Sequence, residues 1–232
     1  MIYVTGDTHG DLRRFRRGKI ARLKKGDTLL ICGDFGFVWD GSEEEEKKLR
    51  WLSKRKYTIA FVDGCHENYD RLDAYPEEEW QGGKVHRLGE RVVHLLRGEL
   101  YEIEGKTDFA FGGGESKETE SRVEQNGWWE HEMPTHEELL RGAKRLEEAD
   151  FAVDYIITHI GPARGKMATE DEPADNGNRL DIFLSNMLRK VKFERWFYGE
   201  CHQDRMLSTR MFSLFEAVMP ADADQLRRKR KR

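Results

Sequence analysis

Short apolar runs rich in β-branched and aromatic residues recur along the chain. Ile2–Thr5, Thr28–Cys32 and Thr58–Val62 come first, followed by residues 91–96 (RVVHLL), 100–103 (LYEI), 108–112 (DFAFG), 154–158 (DYIIT) and 195–199 (RWFYG). Runs with so few polar interruptions predict strands buried on both faces. Helical patterns lie between several of them. Ser42 and Glu45 have the spacing of a capping box ahead of a helix over 43–54, with Glu43–Lys47 and Glu44–Lys48 as i,i+4 pairs. Thr135 and Glu138 repeat the box before a helix reaching residue 149, where Leu139, Leu140, Ala143 and Leu146 share one face. A further helix is predicted over 179–189. The acidic run 43–46 reads as a solvated helix face rather than a metal site.

The first half alternates strand and helix, which predicts parallel pairing through helical crossovers. Residues 84–111 read as consecutive strands and turns, and the glycine-rich, polar stretch 112–132 as a long loop. No internal repeat or long linker interrupts the pattern. The expectation is an α/β fold in a single domain over 1–220, followed by a basic, flexible tail over 221–232.

Composition narrows the setting. Charged residues make up 36% of the chain and its mean hydropathy is −0.82. No apolar run approaches the ~20 residues of a membrane span. The N-terminus begins as a strand and lacks signal-peptide features. Cys32, Cys65 and Cys201 are too few and scattered for a disulfide framework. A cytoplasmic location is expected. The net charge is −4, and the six positive charges of residues 227–232 leave −10 on the remainder. Such an acidic body is unlike a nucleic-acid-binding domain, although the tail offers weak, nonspecific contact with nucleic acid or acidic lipid.

Residues with ligand chemistry stand where the strands stop. Asp7 and His9 follow the first strand in GDTHG, and Asp34 follows the second in CGDFG. Cys65, His66 and Glu67 follow the third in DGCHEN. His159 follows DYIIT, and Glu200, Cys201 and His202 follow RWFYG. In open α/β sheets the C-terminal edge of the strands is where sites are built. Each signal alone is weak, since Asp after Gly is commonly a turn residue. Jointly, carboxylates and imidazoles suit Mn, Fe or Zn, and a carboxylate between two ions can bridge them.

This ordered set resembles the calcineurin-like metallophosphoesterase family, whose pattern runs Asp-x-His, Gly-Asp, Gly-Asn-His-Asp/Glu, a lone His, then Gly-His-x-His. The resemblance spans Asp7 to His202 and implies a four-layer α/β/β/α sandwich. It also implies two divalent metal ions and hydrolysis of phosphate mono- or diesters by a metal-activated hydroxide. By position, Asp7, His9 and His202 resemble ligands of the first metal, Asp34 the bridging carboxylate, and His159 a ligand of the second. His66 matches the histidine that contacts phosphate and protonates the leaving oxygen, with Asp40 or Glu67 as candidates to orient it. Small phosphate esters, nucleotides and phosphoproteins are the substrate classes implied.

Two departures fall on the second metal: Cys65 replaces the family's Asn, and Glu200 the first His of Gly-His-x-His. Both remain competent ligands, and a thiolate favours a softer ion such as Zn. Three readings stay open: a retuned two-metal site, a one-metal site with weaker activity, and a silent fold-mate that binds a metal, nucleotide or protein. Cys32 reads as core and Cys201 as a packed neighbour. Trp128 and Trp129 either line the cleft or anchor their loop, while His86, His94, His131 and His136 fit no motif. No phosphate-binding loop of the Walker type and no Ser-centred nucleophile elbow is present.

Overall fold

The computed structural model describes residues 1–116, 119–124, 127–162 and 177–226. Strands β1 (Ile2–Thr5), β2 (Thr28–Cys32), β3 (Thr58–Val62), β4 (Glu77–Trp80), β5 (Gly83–Gly89) and β6 (Val92–Leu95) belong to the first sheet. Strands β7 (Glu99–Ile103), β8 (Lys106–Phe111), β9 (Ala152–Thr158), β10 (Lys192–Tyr198), β11 (Arg205–Met206) and β12 (Met211–Ser213) form the second. Strand β13 (Met219–Pro220) returns to the edge of the first, giving the orders β13-β1-β2-β3-β6-β5-β4 and β11-β12-β10-β9-β8-β7. β1, β2, β3 and β6 run parallel, as do β8, β9, β10 and β12.

Alternation within the apolar runs builds the layers. Leu30 and Cys32 of β2 enter the core between the sheets with Tyr155, Ile157 and Phe197. Leu29 and Ile31 point the other way, packing with Phe15 of helix α1 (Leu12–Arg16) and with Leu49 and Leu52 of α2 (Glu43–Ser53). Short helices α3 (Tyr69–Leu72) and α4 (Thr119–Glu124) follow in the chain. On the far face of the second sheet, Leu146 of α5 (His136–Glu148) and Leu184 and Met187 of α6 (Arg179–Lys190) pack on Phe109, Ile156 and Trp196. Each such side chain stabilises the fold by about 1.5–3 kcal/mol when fully buried. The result is the expected four-layer α/β/β/α sandwich.

The two capping signals behave differently. At α5, Thr135 and Glu138 form the complete reciprocal box. At α2, Ser42 Oγ accepts from the Glu45 amide at 3.2 Å, but the Glu45 carboxylate turns away from its cap. It accepts from the amides of Trp39, Asp40 and Gly41 at 2.7, 2.9 and 3.1 Å. Glu45 is therefore buried, while Glu43 and Glu44 are exposed and Glu46 is half-buried at the surface. The expected solvated face holds for three of the four glutamates.

Several elements went beyond the sequence reading. The acidic edge strand β4 and the short β11 to β13 carry no strand-like apolar run, and α4 lies in the stretch read as loop. Ala221 is buried against the inter-sheet core and donates its amide to Ile2 O at 3.0 Å. Leu226 packs against the same core. The basic run 227–232 lies outside the described residues.

Candidate metal centre

Backbone hydrogen bonds bring the turns after β1 and β2 together. The amides of Thr8 and His9 donate to Asp34 O at 3.1 and 2.8 Å, and Gly10 N donates to Phe35 O at 3.0 Å. From the second sheet, Gly199 N donates to His159 O at 3.0 Å. Two glycines permit the closeness: a Cβ on Gly199 would collide with the Asp7 carboxylate, and one on Gly33 with the His159 ring. Gly33 also has φ +108°, which disfavours any other residue. His9, Asp34, Glu200 and His202 take φ of 45°, 34°, 23° and 47°. Left-handed backbone at non-glycine residues costs about 1–3 kcal/mol each and clusters at functional sites.

The side chains form two groups sharing Asp34. Ligand atoms of Asp7, His9, Asp34 and His202 all lie within 4.8 Å of one another, as do those of Asp34, Cys65 and His66. His9 Nε2 is 2.9 Å from His202 Nε2, which is 3.0 Å from Asp7 Oδ2. His159 lies between the groups: Nδ1 is 3.5 Å from Asp7 Oδ1, and Nε2 is 3.8 Å from both Asp34 Oδ1 and Cys65 Sγ. His66 meets Asp34 twice, through its amide at 2.8 Å and Nδ1 at 2.9 Å. Glu200 belongs to neither group among the described residues.

The electrostatics follow from burial. Desolvation pushes the Asp7 and Asp34 carboxyls up, but the His159 charge together with the neighbouring imidazoles, His202 at Asp7 and His66 at Asp34, outweighs it, and both end below the usual range. Burial pushes His159 down, and the charges of Asp34 and Asp7 raise it well above the ordinary imidazole value. Burial also raises the Cys65 thiol, opposed by a hydrogen bond from His159.

Asp7 supplies the test of metal fit. Its carboxylate is fully buried, yet neither oxygen has an aligned hydrogen-bond donor among the described residues. The His202 and His159 rings approach its charge at 3.0 and 3.5 Å, and a divalent cation would meet it directly. The neighbouring imidazoles, second carboxylate and thiol make a donor set suited to borderline divalent ions. The residues fit the metals that the resemblance implies.

Other expectations are redistributed. Asp40 is exposed and accepts from the Ser42 amide at 2.8 Å, and buried Glu67 accepts from the amides of Phe35 and Gly36 at 2.5 and 3.3 Å. The partner orienting His66 is thus Asp34 rather than Asp40 or Glu67. Cys32 is core as expected, but Cys201 is exposed, because the chain leaves the sheet at Gly199. Trp129 packs edge-on against Trp39 at 5.6 Å and donates Nε1 to Asp70 at 2.9 Å, anchoring its loop.

Two supports had no sequence signal. Arg14 donates to the Asp7 carbonyl, to Thr5 Oγ1 at 2.8 Å and to Phe215 O at 2.5 Å, bracing the turn from below. Buried Asp63, just before the Gly64–Cys65–His66 turn, accepts from Arg97 Nε at 2.9 Å, Tyr69 Oη at 2.9 Å and His94 Nε2 at 3.0 Å. Tyr69 Oη also lies 2.5 Å from Gly64 O, which pins that turn. Residues this far apart in sequence cannot be paired by local pattern.

A family model for calcineurin-like phosphoesterase matches residues 1–202. Among solved structures, the chain is similar to phosphopantetheinyl hydrolase from Mycobacterium tuberculosis. Identity is 17%, with 92% of this chain and 89% of that one covered, and the TM-score is 0.40. Curated protein sequences give no match.

Proposed function

The chain belongs to the calcineurin-like phosphoesterase family, and from that premise we propose that it hydrolyses small phosphate esters with two divalent ions held around Asp34. The observation carrying this reading is the buried Asp7 carboxylate, without aligned donors, converging with His9, Asp34 and His202. In this reading Asp7, His9, Asp34 and His202 hold one ion, and Asp34, Cys65 and His159 hold the other. Bound ions supply Lewis-acid polarisation of the phosphoryl oxygens and lower the pKa of water.

The remaining work falls to the chain. Asp34 engages His66 Nδ1 at 2.9 Å, so Nε2 is the nitrogen free to give a proton to the leaving oxygen. The His66 side chain is 47% exposed, leaving room for an ester to approach. Asp34 thereby fixes the ring while joining the two ligand groups.

A second reading is a fold-mate with one metal and little turnover. It is favoured by Glu200, which stands where the family has a ligand yet joins neither group. Elemental analysis, followed by assays of aryl phosphate mono- and diesters with added Mn, Fe, Zn or Ni, separates the two. Two equivalents of metal with turnover support the two-metal site. No turnover in the parent, but activity in Cys65→Asn with Glu200→His, would show that the chain has left catalysis.

A further inference from the structure

A second concentration of charge lies at the opposite edge of the first sheet. Arg16 at the end of α1 and Lys54, Arg55 and Lys56 between α2 and β3 line one cavity of about 350 Å³ with Trp51 and Tyr57. The rest of the lining is apolar, so no carboxylate faces these four cations across the cavity. None of the four forms an ion pair among the described residues. Arg55 donates to Trp51 O at 3.1 Å and its guanidinium lies 3.6 Å from the indole centroid, with that of Arg16 at 5.4 Å. Helix C-termini attract cations, but a terminus carries only about half a negative charge and does not account for four.

Tyr57 also lines the cavity. Tyr57 is 2% exposed, and its hydroxyl, itself shielded from solvent, has no hydrogen-bond partner among the described residues. Burial holds that hydroxyl up at about 12, so it stays a neutral donor under ordinary conditions. Uncompensated buried donors are uncommon in folded proteins. Four cations around one volume make a complement for an oxyanion.

We propose that this cavity is a binding site for a small polyanion carrying two or more phosphate groups, separate from the metal centre. Tyr57 precedes the first residue of β3 and Cys65 follows its last, so the strand's five residues place the two sites about 16 Å apart or more. The volume is at the small end of ligand pockets, which suits a di- or triphosphate. Nucleic acid calls for cations spread along a track, whereas here they converge on one volume. The indole already carries guanidinium groups, which favours phosphate over a stacked base as the recognised group.

The test uses the full-length chain stripped of metal, so that the metal centre does not compete for phosphate. Calorimetric titration with tripolyphosphate at constant ionic strength, with chloride as the control, should show one bound equivalent. Arg16 and Lys54 are exposed, so Arg16→Ala with Lys54→Ala should keep the fold while weakening binding about tenfold. The exchange Arg16→Lys with Lys54→Arg should retain binding. Quenching of indole fluorescence on binding should disappear in Trp51→Phe. Unchanged affinity in the Arg16/Lys54 alanine variant would place the anion on the 227–232 tail or among the metal ligands and overturn the proposal. Tighter binding of an oligonucleotide than of tripolyphosphate, or no binding above the chloride control, would also overturn it.

Discussion

Asp73 Oδ2 lies 2.8 Å from His131 Nδ1, and Glu138 Oε1 lies 3.4 Å from Nε2. The Asp73 hydrogen bond, then that to Glu138, outweighs burial and holds the ring up at about 9. In the unfolded chain a histidine titrates near 6.5. Folding thus binds a proton more tightly, and the stabilisation is fully present below about pH 6.5 and lost as pH rises through about 9. The stability difference between parent and His131→Gln, measured by urea unfolding, should be constant below about pH 6 and shrink by about pH 10. A difference that stays flat would mean that the ring acts only through packing. The sequence offered no hint of this role, because Asp73 and Glu138 are brought to His131 by tertiary structure. Asp7, His9, Asp34 and His202 were legible because each directly follows a strand in a recognisable short motif. Glu200 was legible as a position but not as a geometry, since its place depends on a left-handed turn after Gly199.

Helix α2 shows what local pattern misses at the scale of an element. The spacing of Ser42 and Glu45 located the helix start, and Glu43–Lys47 and Glu44–Lys48 pair as expected at 2.9 and 3.0 Å. The same spacing could not show that Glu45 holds three amides of the preceding loop, the segment that begins at Asp34. Glu45→Ala should therefore destabilise the protein by about 2–3 kcal/mol in denaturant unfolding. Glu44→Ala, which breaks only an exposed pair, should cost about 0.5 kcal/mol or less. Equal effects would return the run to a uniformly solvated face. Strands β1, β2, β3, β9 and β10 were readable because both of their faces are buried. Edge strand β4 was not, since Glu77, Glu78 and Glu79 are exposed and Trp80 alone of its four residues packs against the core.

Across the whole molecule, the parallel order of both sheets collects the strand ends, and buried charge then locks the loops between them. Arg97 joins Asp63 of the first sheet's edge to Glu138 of α5, at 3.2 Å from Nη1, and to the carbonyls of His131 and Glu132 at 2.7 and 3.3 Å. Arg97→Met leaves Asp63 charged and buried without its main partner, and should cost about 3–5 kcal/mol by denaturant unfolding. Adding Asp63→Leu should recover part of that loss, because the uncompensated charge is then gone. A double variant less stable than Arg97→Met would show that the network's hydrogen bonds to Tyr69 and His94 dominate instead.

The most direct test of the central claim is metal content and ester turnover measured together on parent and Asp7→Asn. Asparagine keeps the shape of the buried side chain but removes the charge that a divalent ion would meet. Altered groups behind metal ligands already cost 10–100-fold, so loss of a ligand carboxylate should cost at least about 100-fold. The account predicts that Asp7→Asn folds normally, loses about one equivalent of metal and loses turnover of an aryl phosphate with it. Full turnover in Asp7→Asn, or in the parent after exhaustive chelation, would contradict it.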